Sequence, residues 1–149
     1  MARRGGRVNA TGRNEGGAYA PLSYQLLQSP AWRSLSGPAA KVWLELRTRY
    51  SGANNGRLSL SRDEAARILG LGKATVGRAL DELEAKGFVE LKRRGKWYGR
   101  MASEWLVTDR GTDNAPPSNA WRQWQPSGNV QPSVLSRTIK TEIGSEVDP

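Results

Sequence analysis

Between Ser61 and Gly87 the sequence carries its most constraining pattern, two helical periods separated by Gly70-Leu71-Gly72. Ser61 is followed three residues later by Glu64, a spacing in which hydroxyl and carboxylate together satisfy the open backbone donors of a helix start. The helix predicted from there runs through Ala65, Ala66, Ile68 and Leu69 and meets Gly70. A left-handed residue ends helices readily only where no Cβ intrudes, so glycine suits that position. After Leu71 and Gly72 a second helix is predicted, with Val76, Leu80 and Leu83 at i, i+4 and i+7 on its buried face. Gly87 closes it. Ala66 is small enough to let the two helices approach closely where they cross.

The flanks supply the remaining elements. A short helix is predicted around Ser23–Gln28, stopped by Pro30, with Trp32 and Leu35 adding apolar surface. Ser36 reads as an N-cap, and Pro38 is tolerated in the first turn that follows. Ala39, Trp43, Leu46 and Tyr50 then form one apolar stripe, read as packed core in preference to a ligand pocket. Gly52-Ala53-Asn54-Asn55-Gly56 is a turn, and Arg57-Leu58-Ser59-Leu60 is a candidate short strand. Phe88–Lys92 alternates as a half-buried strand with Val89 and Leu91 on one face. Residues 93–100 read as a basic hairpin loop, and Ala102–Thr108 returns as a strand carrying Trp105 and Val107. The expected fold is α+β: a small helix-turn-helix with three main helices, a short extra N-terminal helix and a β-hairpin in a two- or three-stranded antiparallel sheet.

The run from Leu60 to Val89, LSRDEAARILGLGKATVGRALDELEAKGFV, resembles the winged-helix regulators of the GntR type. It is similar too to the DNA-binding regions of some phage and plasmid replication proteins. The resemblance covers about thirty residues strongly and roughly ninety with the preceding helix and following hairpin. One position departs: serine is usual where Gly72 stands, so the second helix lacks a hydroxyl cap. No effector domain accompanies the motif, and the resemblance therefore carries no metabolite sensing with it.

Charge divides the chain into three regions. The formal net charge is +9, from 23 Lys+Arg against 14 Asp+Glu, which favours a polyanionic partner. Residues 1–20 read as a disordered basic arm with Arg3, Arg4 and Arg7, too poor in apolar side chains to offset the entropy of ordering. Residues 21–109 form the predicted domain, and the positive charge resides in these two regions. Residues 110–149 read as a flexible, near-neutral tail opened by the breaker cluster of residues 113–119. Within it Trp121 and Trp124 stand out as a contact for a protein partner, the plainer alternative being incidental apolar residues. No apolar run reaches the roughly 18–20 residues that span a bilayer, and no apolar stretch follows the N-terminal arginines as a signal peptide requires. A cytoplasmic protein of bacterial type is expected, with no membrane partner.

Catalysis is not expected. The chain has no His and no Cys, which removes an imidazole base, a thiolate nucleophile and a zinc cluster. Residues 70–75 fail as a phosphate loop: Arg67 stands at the first glycine of a Walker sequence, Ala74 at its Ser/Thr, and Thr75 at the last glycine of GxGxxG. No cofactor is implied.

The expected partner is double-stranded DNA. On the second helix the residues off the buried stripe are Lys73, Ala74, Thr75, Gly77, Arg78 and Asp81. The N-terminal half of such a helix enters the major groove, and the Arg78 fork matches guanine O6 and N7. Gly77 is expected to permit close approach to DNA. Asp81 and Glu82 either limit how far the helix buries or are a solvated face. On the hairpin, Arg93, Arg94, Lys96, Trp97 and Arg100 are expected to grip phosphate or enter the minor groove, and the arm to lie in an adjacent minor groove or merely solubilise. Three functions stay open: transcription regulation, DNA replication or plasmid/phage maintenance at an origin, and a protein-interaction adaptor. Monomer and homodimer are both compatible.

Overall fold

The computed structural model describes residues 18–126. The arm residues Arg3, Arg4 and Arg7, and the tail beyond residue 126, lie outside them.

Hydroxyl side chains start most of the helices. The Oγ atoms of Ser23, Ser29, Ser36 and Ser61 accept from the amides of Leu26, Trp32, Ala39 and Glu64, three residues on, satisfying donors that the first helical turn leaves open. The helices that follow are α1 (Tyr24–Leu27), α2 (Pro30–Arg33), α3 (Gly37–Arg49) and α4 (Arg62–Leu69). The sequence reading has no α2, treating Pro30 only as a stop. Pro30 does stand just past α1, but it is also the first residue of the next helix, where a fixed φ and a missing N–H cost nothing. Gly70, at φ 66°, ends α4. Gly72 then caps α5 (Lys73–Ala85) without a side-chain bond, as its lack of a hydroxyl requires. The reciprocal half of the expected capping box is replaced. The Glu64 carboxylate accepts from Arg49 Nη2 at 3.1 Å, while Arg49 Nη1 donates to the Ser59 carbonyl at 2.9 Å, so the end of α3 is tied to the start of α4.

Three short strands complete the domain: β1 (Leu58–Ser59), β2 (Val89–Arg93) and β3 (Glu104–Val107). They form an antiparallel sheet in the order β1-β3-β2, with Leu58 and Leu91 both opposite Trp105 and Val89 opposite Val107. The fold is thus mixed α+β, with five α-helices and this sheet among the described residues. None of those helices is long and apolar enough to cross a membrane.

The core gathers the predicted stripes. Ala39, Trp43 and Leu46 of α3 and Val76 and Leu83 of α5 are fully buried, with Leu80 nearly so. Trp32, Trp43 and Phe88 pack edge to face at centroid distances of 5.4, 6.0 and 6.1 Å, the arrangement favoured by ring quadrupoles. One charge is buried among them. Arg47 is 2% exposed; its Nε donates to Asp109 Oδ2 at 3.0 Å and its Nη2 to the Pro21 carbonyl at 2.7 Å. Burial is the largest influence on both partners, pushing the Asp109 carboxyl up and the Arg47 guanidinium down, against their mutual attraction.

The boundary expected after Asp109 is overturned. Residues 110–126 fold back onto the domain. The Asn119 amide donates to the Thr108 carbonyl at 2.9 Å, and a 3-10 turn at Ala120–Gln123 seats Trp121, 3% exposed, in the core. Trp124 is half-buried beneath Lys86, whose Nζ lies 5.0 Å from the ring centroid. The physical reason is area. A tryptophan in a polar stretch has a large apolar surface to remove from water, and the breaker residues permit the reversal that brings it home. Trp121 is therefore an intramolecular anchor and offers no surface to a partner. Gly87 shows how close the approach is: at φ 82°, a Cβ there would stand 2.7 Å from the Ala120 carbonyl carbon.

Two outcomes follow for denaturation experiments. Trp121→Ala should lower unfolding free energy by about 3–5 kcal/mol, and truncation after Asp109 should lower the melting temperature, whereas an independent tail leaves both unchanged. Asp109→Ala, which strands the buried Arg47 charge, should cost about 3–5 kcal/mol.

Candidate nucleic-acid interface

The packing of α5 decides which of its side chains remain outside. With Val76, Ala79, Leu80 and Leu83 turned inward, the exposed positions are Lys73, Ala74, Arg78, Asp81, Glu84 and Ala85, with Thr75 half-buried. Arg78 Nη2 donates to Thr75 Oγ1 at 3.3 Å. Glu82 points elsewhere. Its Oε2 accepts from the Ser36 amide at 3.0 Å and lies 3.3 Å from the Ser36 hydroxyl, so it ties α5 to the start of α3. That leaves Asp81 as the member of the acidic pair on the free face.

Beside α5 stands the β2–β3 hairpin. Its tip is held by paired bonds between Lys96 and Met101, at 2.9 Å from the Lys96 amide and 3.1 Å from the Met101 amide. The Gly95 amide also donates to Ser103 Oγ at 2.9 Å. Gly95 leaves no room for a side chain, because the Met101 carbonyl and the Ser103 amide occupy the Cβ position. A 3-10 turn at Trp97–Gly99 carries Tyr98 at 84% exposure, and Arg100 adopts φ 49°. The tip is thus a defined shape. Between it and the helices lies an open groove of about 700 Å³, whose lining includes Arg62, Asp63, Lys73, Ala74, Arg94 and Ser103.

The expected residues divide by their partners. Arg78, Arg94, Lys96 and Arg100 are exposed and pair with no carboxylate among the described residues. Lys73 pairs with Asp63 at 2.6 Å and Arg93 with Glu104 at 2.9 Å, so both are partly neutralised, though exchangeably, since exposed pairs are weak. The side chain of Trp97 is outside the description. The expectation for Gly77 is corrected. It is buried, and the Arg62 guanidinium lies across it, with Cζ and Nη1 each 3.2 Å from where a Cβ would be. Arg62 is the residue the sequence reading misses at this site. It too is exposed and without a carboxylate partner among the described residues. Only the crossing of α4 over α5 brings position 62 to position 77, so no spacing in the sequence announces it.

Chemically the groove and its margins can hold a polyanion. Unpaired guanidinium groups project from α4, α5 and the hairpin, and the amides of the first turn of α5 have no side-chain cap, an arrangement favourable to anions. Among the described residues no group of three or more carboxylate, imidazole or thiol side chains could hold a metal ion. No family model, curated protein or solved structure matches the chain.

Glu82 separates packing from recognition. Glu82→Ala should reduce unfolding free energy by about 1 kcal/mol through loss of the Ser36 bonds, and leave affinity for polyanions unchanged. A marked gain in that affinity would place Glu82 on the free face after all.

Proposed function

We propose that residues 18–126 form a winged helix-turn-helix that binds double-stranded DNA sequence-specifically, and that the protein is a transcriptional regulator acting by occupying its site. The observation that carries the reading is the set of unpaired basic side chains around one groove: Arg62 and Arg94 in its lining, Arg78 on the adjoining face of α5, and Lys96 and Arg100 at the hairpin tip. A helix of about 10–12 Å diameter fits a major groove about 12 Å wide. In this reading α4 and the turn at Gly70–Gly72 present α5, which enters the groove by its N-terminal half. Arg78 donates two bonds to a guanine edge, and Lys73, released from Asp63, meets phosphate. Arg94, Lys96 and Arg100 hold the flanking backbone, where contacts position without specifying.

The chemistry is recognition alone. The chain carries neither His nor Cys, and the reading assigns no residue to bond making or breaking. Because Trp121 is committed to the core, regulation rests on site occupancy and not on recruitment through that residue.

Selection of bound sites from random duplex DNA, followed by mapping them onto a genome, tests the reading. Recovered sites should share a sequence and fall at promoters; clustering at one replication origin supports an initiator, and no enrichment sinks sequence-specific binding. On the selected site, Arg78→Ala should cost roughly 1–3 kcal/mol at one or two base pairs. Arg94→Ala or Lys96→Ala should weaken all sequences alike and reduce the slope of log affinity against log salt by about one unit per lost phosphate contact. An Arg78→Ala profile like those of the hairpin variants would make Arg78 a phosphate contact.

A further inference from the structure

At position 77, buried where α5 meets the start of α4, α5 has no side chain of its own, and α4 fills the space. Arg62 begins α4 and lays its guanidinium on Gly77, with Nε 3.4 Å and Cζ and Nη1 3.2 Å from the position a Cβ would take. The same guanidinium bearer lines the open groove with Lys73, Ala74 and Arg94, and the recess next to it with Asp81, Glu84 and Trp105. No carboxylate pairs with it among the described residues. A long exposed side chain normally spreads over many rotamers. Here the bare backbone of Gly77 gives it a flat seat, one turn from Ala74.

We propose that Arg62 is a specificity-determining residue, delivering from α4 a base-reading guanidinium at the place on α5 where Gly77 has no side chain. The inference rests on the proposed DNA-binding function and names a reader in it. Gly77 acts in this scheme as a positioning residue. Its missing Cβ sets how close Arg62 lies to the helix axis and so where the fork points. An arginine fork presents two parallel donors to guanine O6 and N7, whereas a lysine presents a single point charge. Recognition through Arg62 therefore depends on its geometry as well as its charge.

The test uses the full chain with random duplex DNA as the probe, and compares Arg62→Ala, Arg62→Lys and Gly77→Ala with the parent by site selection, affinity, salt dependence and melting. Arg62→Ala should lose roughly 5- to 150-fold in discrimination at one or two base pairs, the range of one bidentate contact. Arg62→Lys should lose the same discrimination while keeping the salt slope. Gly77→Ala is the decisive variant. Alanine favours a helix interior over glycine, and the three atoms nearest its Cβ all belong to the movable end of Arg62, so this protein should melt no lower than the parent. It should nevertheless lose preference at the base pairs that Arg62→Ala affects, and the double variant should lose little more than either single one. Arg62→Ala weakening every sequence equally, or Gly77→Ala selecting the parent's site unchanged, would overturn the inference and leave the DNA-binding reading intact. A parent protein with no sequence preference would overturn both.

Discussion

Phe88 is where the helices hand the chain to the sheet, and its burial organises what lies on either side. It follows Gly87 at the end of α5, precedes β2, and packs edge to face on Trp43 of α3 and Trp32 of α2. Its amide donates to the Leu83 carbonyl and its carbonyl accepts from the Thr108 amide. Helix end and sheet end are thus fixed by one residue. The hairpin that starts one residue later has no freedom to choose its direction relative to α5. The groove between hairpin and helix is a consequence of this corner.

Around the apolar centre, polar side chains tie segments that are far apart in the chain. Arg47 joins the entry segment at Pro21, α3 and the end of β3 through Asp109. The buried Asn55 amide donates to the carbonyls of Val107, Arg110 and Gly111, and its oxygen accepts from the Val107 amide. The turn after α3 is thereby fastened to the strand that leaves the sheet. Such bonds add modest net stability but are costly to leave unmade. The segment after Asp109 starts from these anchors and ends with Trp121 inserted beside the Gly87 corner. An ordering of that kind places the folding domain's limit well past the last strand.

The same packing sorts the charges. Glu64, Glu82 and Asp109 are drawn into ties between elements. Asp63 holds Lys73 in the groove lining, and Glu104 holds Arg93 on the hairpin. Without an ion-pair partner among the described residues are, with others, Arg62 on α4, Arg78 and Asp81 on α5, and Arg94, Lys96 and Arg100 on the hairpin. The proposed function uses that residue of positive charge on a rigid frame, in which the hairpin tip is braced by backbone bonds and α5 is seated on α3.

Local chemistry made much of the fold legible from the sequence. Hydroxyl caps at Ser36 and Ser61, the left-handed turn at Gly70, the uncapped start at Gly72 and the 3.6-residue stripes of α3 and α5 each follow from a few neighbouring residues, and each is present. So is the exposure of Lys73, Ala74, Arg78 and Asp81, because a buried stripe fixes its complement. The failures occur where the partner is distant. Glu64 turns to Arg49 in place of its own helix start, Glu82 to Ser36, Arg62 to Gly77, and Trp121 to the core, on a turn packed against α2 and the Gly87 corner. A periodic pattern says which side of a helix is apolar. Which long side chain crosses to a neighbouring element depends on the angle and depth at which the elements pack, and that is decided only in the tertiary structure.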